Sequence, residues 1–356
     1  MILTLFDRTS DPGTPLMVPK VLLHDHLDGG LRPRTMAELA VTVGYDQLPA
    51  DIDSVERFFN DRVVDSLEEY LAPFEHTVAV MQTVGSLRRV AMESVIDHAA
   101  SGVVYAELRM APSLHTQRGL NRTEVIEATL EGLEMGEAAT GTTARLIACA
   151  MRQDDDAIEV VDAAAQFIGS GVVGFDLAGP EAGFPPSRHR AALEAAIQAG
   201  LRLTIHAGEG DGITSINDAL DCGAERLGHG VRIVEDIKAH NGDVALGETA
   251  QRVLNQRIAL EICPKSEIDT RTVGAAAAHP IDLLHRAGFA TTINTDNTLM
   301  SSTDMSREFD LLSSHKGFAL EDFRSITMQA VDAAFCDEET KAHVQDVVDR
   351  GYKELS

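Results

Sequence analysis

Two histidines flank one aspartate in His24-Asp25-His26. Side chains alternate along a strand, so an extended chain here turns both imidazoles to one face, where they can share a metal ion. Three more residues of metal-binding type stand at comparable places: His206 in TIHAGEG, His229 in RLGHG and Asp296 in TTINTD. A single histidine at a strand end is most often structural. Four such positions meeting at one rim, with carboxylates beside them, suit a borderline cation such as zinc, which takes three imidazoles and a carboxylate and keeps a place for water. Glu209 follows His206 by three residues in the Gly-rich run AGEGDG, whose backbone can come close to a ligand, and is the candidate proton shuttle.

Bringing residues 24 and 296 together requires a frame, and the sequence alternates short β-branched or Leu-rich runs with amphipathic Ala/Glu-rich stretches. Strands are expected at Val18–His26, Val103–Met110, Ala144–Met151, Val172–Leu177, Arg202–Ala207, Arg226–His229, Ile258–Cys263 and Ala290–Thr295. Eight βα units, with no G-x-G-x-x-G run, predict an α/β fold of the (β/α)8 TIM-barrel type rather than an open doubly wound sheet. In such barrels catalytic groups lie at the C-terminal ends of strands, where these candidates stand. Residues from about 53 to 100 read as two or three inserted helices, with SLEEYLAPFEHTVAVMQTV strongly amphipathic, and are expected to cap the mouth. The tail after Asp304 reads as additional C-terminal helices, and residues 1–356 as a single domain.

Composition narrows the partners. The chain has 356 residues, 44% of them hydrophobic, and no apolar run long enough to cross a bilayer. The stretch MILTLFDRTSDPG carries Asp and Arg where a signal peptide would be uninterruptedly apolar, so a cytoplasmic location is expected. Four scattered cysteines form no C-x-x-C pair, which argues against a disulfide framework and a thiolate zinc site. A formal net charge of −26 disfavours nucleic acid as a partner and leaves a small molecule as the expected substrate.

Seven segments in order resemble the adenosine deaminase family: LLHDHLDGGLRP (22–33), VVYAELRMAP (103–112), GVVGFDLAGPE (171–181), TIHAGEG (204–210), RLGHGVR (226–232), LEICPKS (260–266) and INTDN (293–297). The resemblance implies one zinc ion per chain held by His24, His26, His206 and Asp296, with Glu209 as proton shuttle and His229 orienting the attacking water. It also implies a purine nucleoside bordered by His26, with Asp28 at the ribose end, the Gly179 backbone at a ring nitrogen and Asn297 facing the purine. Hydroxide supplied by zinc would add to the carbon bearing the amino group, Glu209 would protonate N1, and ammonia would leave a 6-oxo purine.

Two features depart from that pattern. Asn297 stands where many members have a second Asp, and CPKSEID, with Lys265 and Glu267, is more charged than the small polar residues expected there. Both bear on the substrate more than on the reaction. Adenosine, or 2′-deoxyadenosine, is the expected substrate. A 5′-modified nucleoside such as aminodeoxyfutalosine stays open, while Asp28, where adenine-specific relatives have Glu, speaks against adenine. Adenosine monophosphate would call for a basic cluster that is not evident. A two-metal amide or phosphoester hydrolase would want a bridging Lys on a mid-barrel strand, and those strands have none. Retention of every ligand together with Glu209 and His229 argues against a non-catalytic binding protein. The Cys-rich signature of polynucleotide zinc deaminases is absent.

Overall fold

β1 (Lys20–His26) is followed by five helices, α1 (Pro33–Val43), α2 (Ile52–Asn60), α3 (Leu67–Leu71), α4 (Phe74–Val80) and α5 (Val84–Ala100). Simple alternation then begins: β2 (Val103–Met110), α6 (Arg122–Thr140), β3 (Thr143–Met151), α7 (Ala157–Ala165), β4 (Val172–Ala178), α8 (Arg190–Ala199), β5 (Arg202–Ala207), α9 (Ile213–Asp221) and β6 (Arg226–His229). An antiparallel pair, β7 (Ile237–His240) and β8 (Asp243–Leu246), precedes α10 (Glu248–Gln256), β9 (Ala259–Ile262), α11 (Pro264–Asp269), α12 (Ile281–Arg286) and β10 (Thr291–Ile293). Three helices finish the chain: α13 (Met305–Lys316), α14 (Leu320–Ala333) and α15 (Glu338–Lys353). The computed structural model describes residues 18–355 apart from 50, 62, 63, 65, 241 and 242. The N-terminal stretch 1–13 lies outside these residues.

The eight parallel strands run in the order β1-β2-β3-β4-β5-β6-β9-β10, making the (β/α)8 barrel that the alternation predicts. Its seam closes at the catalytic end. The His26 N–H donates to the Asp296 carbonyl (2.7 Å), the Asp296 N–H to the His24 carbonyl (3.0 Å) and the Leu23 N–H to Asn294 Oδ1 (2.9 Å). The same bonds that shut the cylinder therefore bring Asp296 beside the two histidines of β1. The strands are buried on both faces, which explains their nearly unbroken apolar runs.

The region after β1 holds more helices than the sequence suggests. Pro73 stands as N-cap of α4, and Thr83, in a capping box with Ser86, starts α5 afresh. Helix α5 lies against α6, where Gly132 and Gly136 leave room for Ala91 and Val95; a Cβ on Gly132 would stand 2.8 Å from that of Ala91. It thus belongs to the outer ring, and only the earlier helices of the insertion reach the mouth. The β7–β8 pair is absent from the expected strands, although the Asn241-Gly242 dipeptide is a hairpin signal in the sequence. Among the described residues no helix is long and apolar enough to cross a membrane.

Candidate active site

The end of β1, the end of β5 and the turn after β10 direct polar side chains to one point. Among the described residues, ligand atoms of His24, His26, His206 and Asp296 all lie within 4.8 Å of one another. His26 Nε2 and His206 Nε2 are 3.3 Å apart, and Asp296 Oδ1 is 3.2 Å from His24 Nε2 and 3.5 Å from His26 Nε2. Asp296 and His229 both have φ of 60°, left-handed backbone that costs a non-glycine residue about 1–3 kcal/mol and is tolerated only where the surroundings hold it.

Behind this cluster stands a layer of carboxylates. His24 Nδ1 donates to Glu261 Oε2 (2.8 Å) and His206 Nδ1 to Asp176 (3.0 Å), which turns each Nε2 lone pair toward the centre. Arg109, wholly buried, bonds both carboxylates, at 2.8 Å to Glu261 and 2.9 Å to Asp176. Burial keeps the imidazoles of His206 and His26 uncharged, pushing His206 down to about 4 despite Asp176 and His26 down to about 3 despite Asp296. Burial opposes ionisation of Asp176 as well, yet His206 and Arg109 hold it well below the usual carboxylate range. Neutral imidazoles and an ionised Asp296 are the protonation states a metal requires.

A second grouping of donors, His24, His229, Cys263 and Asp296, is also compact. It suits a metal less well. Burial pushes the Cys263 thiol far up, so the sulfur keeps its proton, and His229 is engaged elsewhere. Its Nδ1 donates to Glu267 Oε1 (3.2 Å), and its Nε2 stands 3.6 Å from Glu209 Oε2. Burial alone would lower His229, but the carboxylates of Glu209, Glu267 and Asp296 outweigh it and raise the imidazole to about 10. Glu209 is lifted by burial to about 7 against the pull of His229. Its turn is held by Glu181, whose carboxylate accepts from the N–H groups of Gly208 (2.7 Å), Glu209 (2.9 Å) and Gly210 (2.7 Å).

These groups form the floor of a cavity of about 360 Å³. Leu67, Tyr70, Leu71 and Phe74, from α3 and α4, supply its roof, and Tyr70 is tied to Ser301 beyond β10 (2.8 Å). Asp28 and Asn297 also face the cavity, each buried with one oxygen that has no hydrogen-bond partner. The Asn297 Oδ1 packs against Gly29, which leaves Nδ2 to the cavity. Gly179 has φ of 99°, a left-handed conformation that favours glycine, and it stands beside the Gln153 side chain. Every residue named in the sequence as a site candidate thus borders one region. Lys265 turns away to pair with Asp269 (2.7 Å), whereas Glu267 turns inward.

The matching family model is "Adenosine deaminase", over residues 19–351. The chain belongs to the adenosine deaminase family. The adenosine deaminase of Mycobacterium ulcerans is 49% identical over 89% of this chain and 90% of its own length. The crystal structure of adenine deaminase from Arthrobacter aurescens superposes with a TM-score of 0.85 at 27% identity, covering 96% of this chain and all of that one. An amidohydrolase from Burkholderia ambifaria with bound zinc superposes with a TM-score of 0.83 at 26% identity, covering 95% of this chain and 92% of that one. The adenosine deaminase family consists of metal-dependent aminohydrolases, and the compact His/Asp cluster at the barrel rim is of the kind such chemistry needs. Sequence reasoning assigned no role to Arg109, Asp176, Glu181, Glu261 or Ser266, whose hydroxyl donates to Asp296 Oδ2 (2.6 Å), although each lies inside a motif that carries the resemblance.

Proposed function

We propose that this protein hydrolyses adenosine, or 2′-deoxyadenosine, to inosine and ammonia with one zinc ion per chain. The observation that carries the reading is the junction of two unlike clusters under one apolar cavity: neutral imidazoles with an ionised Asp296, and a protonatable Glu209 beside His229.

The residues fit a metal. His24 Nε2 is buried without a hydrogen-bond partner, an expensive state unless a cation takes its lone pair. His24, His26, His206 and Asp296 would hold the ion. Bound there, it supplies Lewis acidity that brings the pKa of water toward neutrality.

The remaining work falls to the chain. Glu209 carries its proton up to about pH 7 and delivers it to N1 as water adds to C6, so that negative charge does not collect on the ring. His229, with Nδ1 committed to Glu267, offers Nε2 to orient the attacking water. Of the two protons the water brings, one goes to the amino group, which leaves as ammonia, and the other returns to Glu209, while N1 keeps the proton it received and the carbon keeps the oxygen. Asp28 receives a ribose hydroxyl, which its unpartnered Oδ1 supports, the Gly179 N–H meets a ring nitrogen, and Asn297 donates from Nδ2 to N7. Helices α3 and α4 act as a cover that keeps bulk water out, within one domain spanning the chain. Among the described residues lining the cavity there is no Lys or Arg, which speaks for a nucleoside over a nucleotide. Four free, buried cysteines fit a reducing cytoplasm.

The test is a panel of adenosine, 2′-deoxyadenosine, 5′-deoxyadenosine, aminodeoxyfutalosine, adenine and adenosine monophosphate. Ammonia release and the ultraviolet shift are followed before and after chelation. Adenosine should lead, and chelation should abolish turnover. Faster turnover of the 5′-modified nucleosides would overturn the substrate assignment.

A further inference from the structure

Glu267 departs from the small polar residues the resemblance leads one to expect, and it lies wholly buried in the first turn of α11. Three donors converge on its carboxylate. His229 Nδ1 (3.2 Å) and the Cys263 N–H (2.9 Å) give to Oε1, and His279 Nε2 (2.7 Å) gives to Oε2. His279 has its own tautomer settled, because its Nδ1 accepts from the Ile281 N–H (3.2 Å) and its proton must therefore sit on Nε2. The carboxylate is thus clamped from behind by a histidine that can only donate. Its front oxygen can then do one thing for His229, which is to hold the proton on Nδ1 and the ring edge with Nε2 toward Glu209, 3.6 Å away.

We infer that Glu267, backed by His279, is a positioning residue that fixes the ring orientation and the Nδ1 proton of His229. The inference rests on His229 serving the deamination. An ordinary structural role would be to hold the start of α11 through the Cys263 N–H. That role would leave the His229 ring free to rotate, and the two roles separate in a double-mutant cycle.

The experiment uses the full chain loaded with zinc, with adenosine as substrate. Glu267→Gln should lower kcat about a hundredfold with KM within about threefold and metal content unchanged, because a neutral amide holds the Nδ1 proton less firmly. Placed in a His229→Ala background, the same change should cost less than about twofold, since the residue through which it acts is gone. A second readout needs no turnover. In metal-free protein labelled with 15N-histidine, the resonances that vanish in His229→Ala should report a protonated Nδ1, and Glu267→Gln should shift them. If Glu267→Gln does not fold, His279→Leu takes its place, with an expected kcat loss of about tenfold that likewise disappears in the His229→Ala background. Full kcat in the variant used, or a loss that persists undiminished without His229, overturns the inference. Full activity of His229→Ala alone would instead overturn the reading of the site.

Discussion

Histidines on one rim, with ring centroids 5.0 to 5.5 Å apart, are driven in opposite directions. His206 is held near 4, while His229 is raised to about 10. Both are buried, and both donate Nδ1 to a buried carboxylate. The difference lies one layer back. Asp176, behind His206, shares its charge with Arg109, which also reaches Glu261 behind His24. Glu267, behind His229, has His229, His279 and a backbone N–H as its side-chain hydrogen-bond partners among the described residues, and Glu209 adds a second carboxylate in front. One guanidinium therefore separates a half of the site suited to hold a cation from a half suited to move protons.

The largest effects should come from breaking each half separately. Asp296→Ala removes the only carboxylate among the four clustered donors, and metal content measured by elemental analysis should fall together with activity. Glu209→Gln should leave metal content intact while kcat drops by about a thousandfold or more, because an amide cannot relay the proton. A Glu209→Gln protein within tenfold of the original would remove this residue from the chemistry. The acid role also has a sign in pH. The proton must be present on Glu209, so kcat/KM should fall as pH rises through about 7, and Glu209→Gln should lose that limb of the profile.

A smaller effect is expected one layer back. Asp176→Asn keeps the size of the side chain but removes the charge that Arg109 and His206 share, and zinc affinity should drop about 10–100-fold. Competition with a fluorescent chelator measures it. The same variant should leave the pH at which rate declines unchanged, since Glu209 belongs to the other half. A shifted decline with undiminished metal affinity would mean that Arg109 does not separate the two.

The halves were unequally legible in the sequence. His24, His26, His206, His229 and Asp296 could be read because strand ends in a barrel face one way, and the β-branched runs that mark strands are strong signals. Arg109, Asp176 and Glu261 could not be paired, because their side chains meet across the inside of a closed cylinder and no local pattern encodes which strands face each other. Glu267 could be noticed as an unusual charge. Its direction depended on α11 turning that side chain inward and Lys265 outward. The roof was legible as helical from its amphipathic pattern, but its limits were not, since α5 is equally helical and packs on the ring instead.

The smallest expected effect tests whether the metal-holding half extends to the purine. Asn297 adjoins Asp296, is almost fully buried, and offers Nδ2 to the cavity while its Oδ1 packs against Gly29. Purine N7 only accepts, so an amide opposite it can serve at any pH. Loss of that donor in Asn297→Ala should cost about 1–3 kcal/mol in kcat/KM, with zinc content unchanged. Asn297→Asp asks more. The new carboxyl would be buried beside Asp296 and near Asp28, and both burial and like charge favour its protonated form, which can still donate to N7. Activity should therefore persist on the acid side and decline as the added group ionises with rising pH and turns from donor to repelling acceptor. Because the original enzyme is itself expected to lose rate as Glu209 ionises, the comparison is made in the Glu209→Gln background as well, where that limb is removed. Superimposable profiles for Asn and Asp in both backgrounds would show that residue 297 does not face the purine.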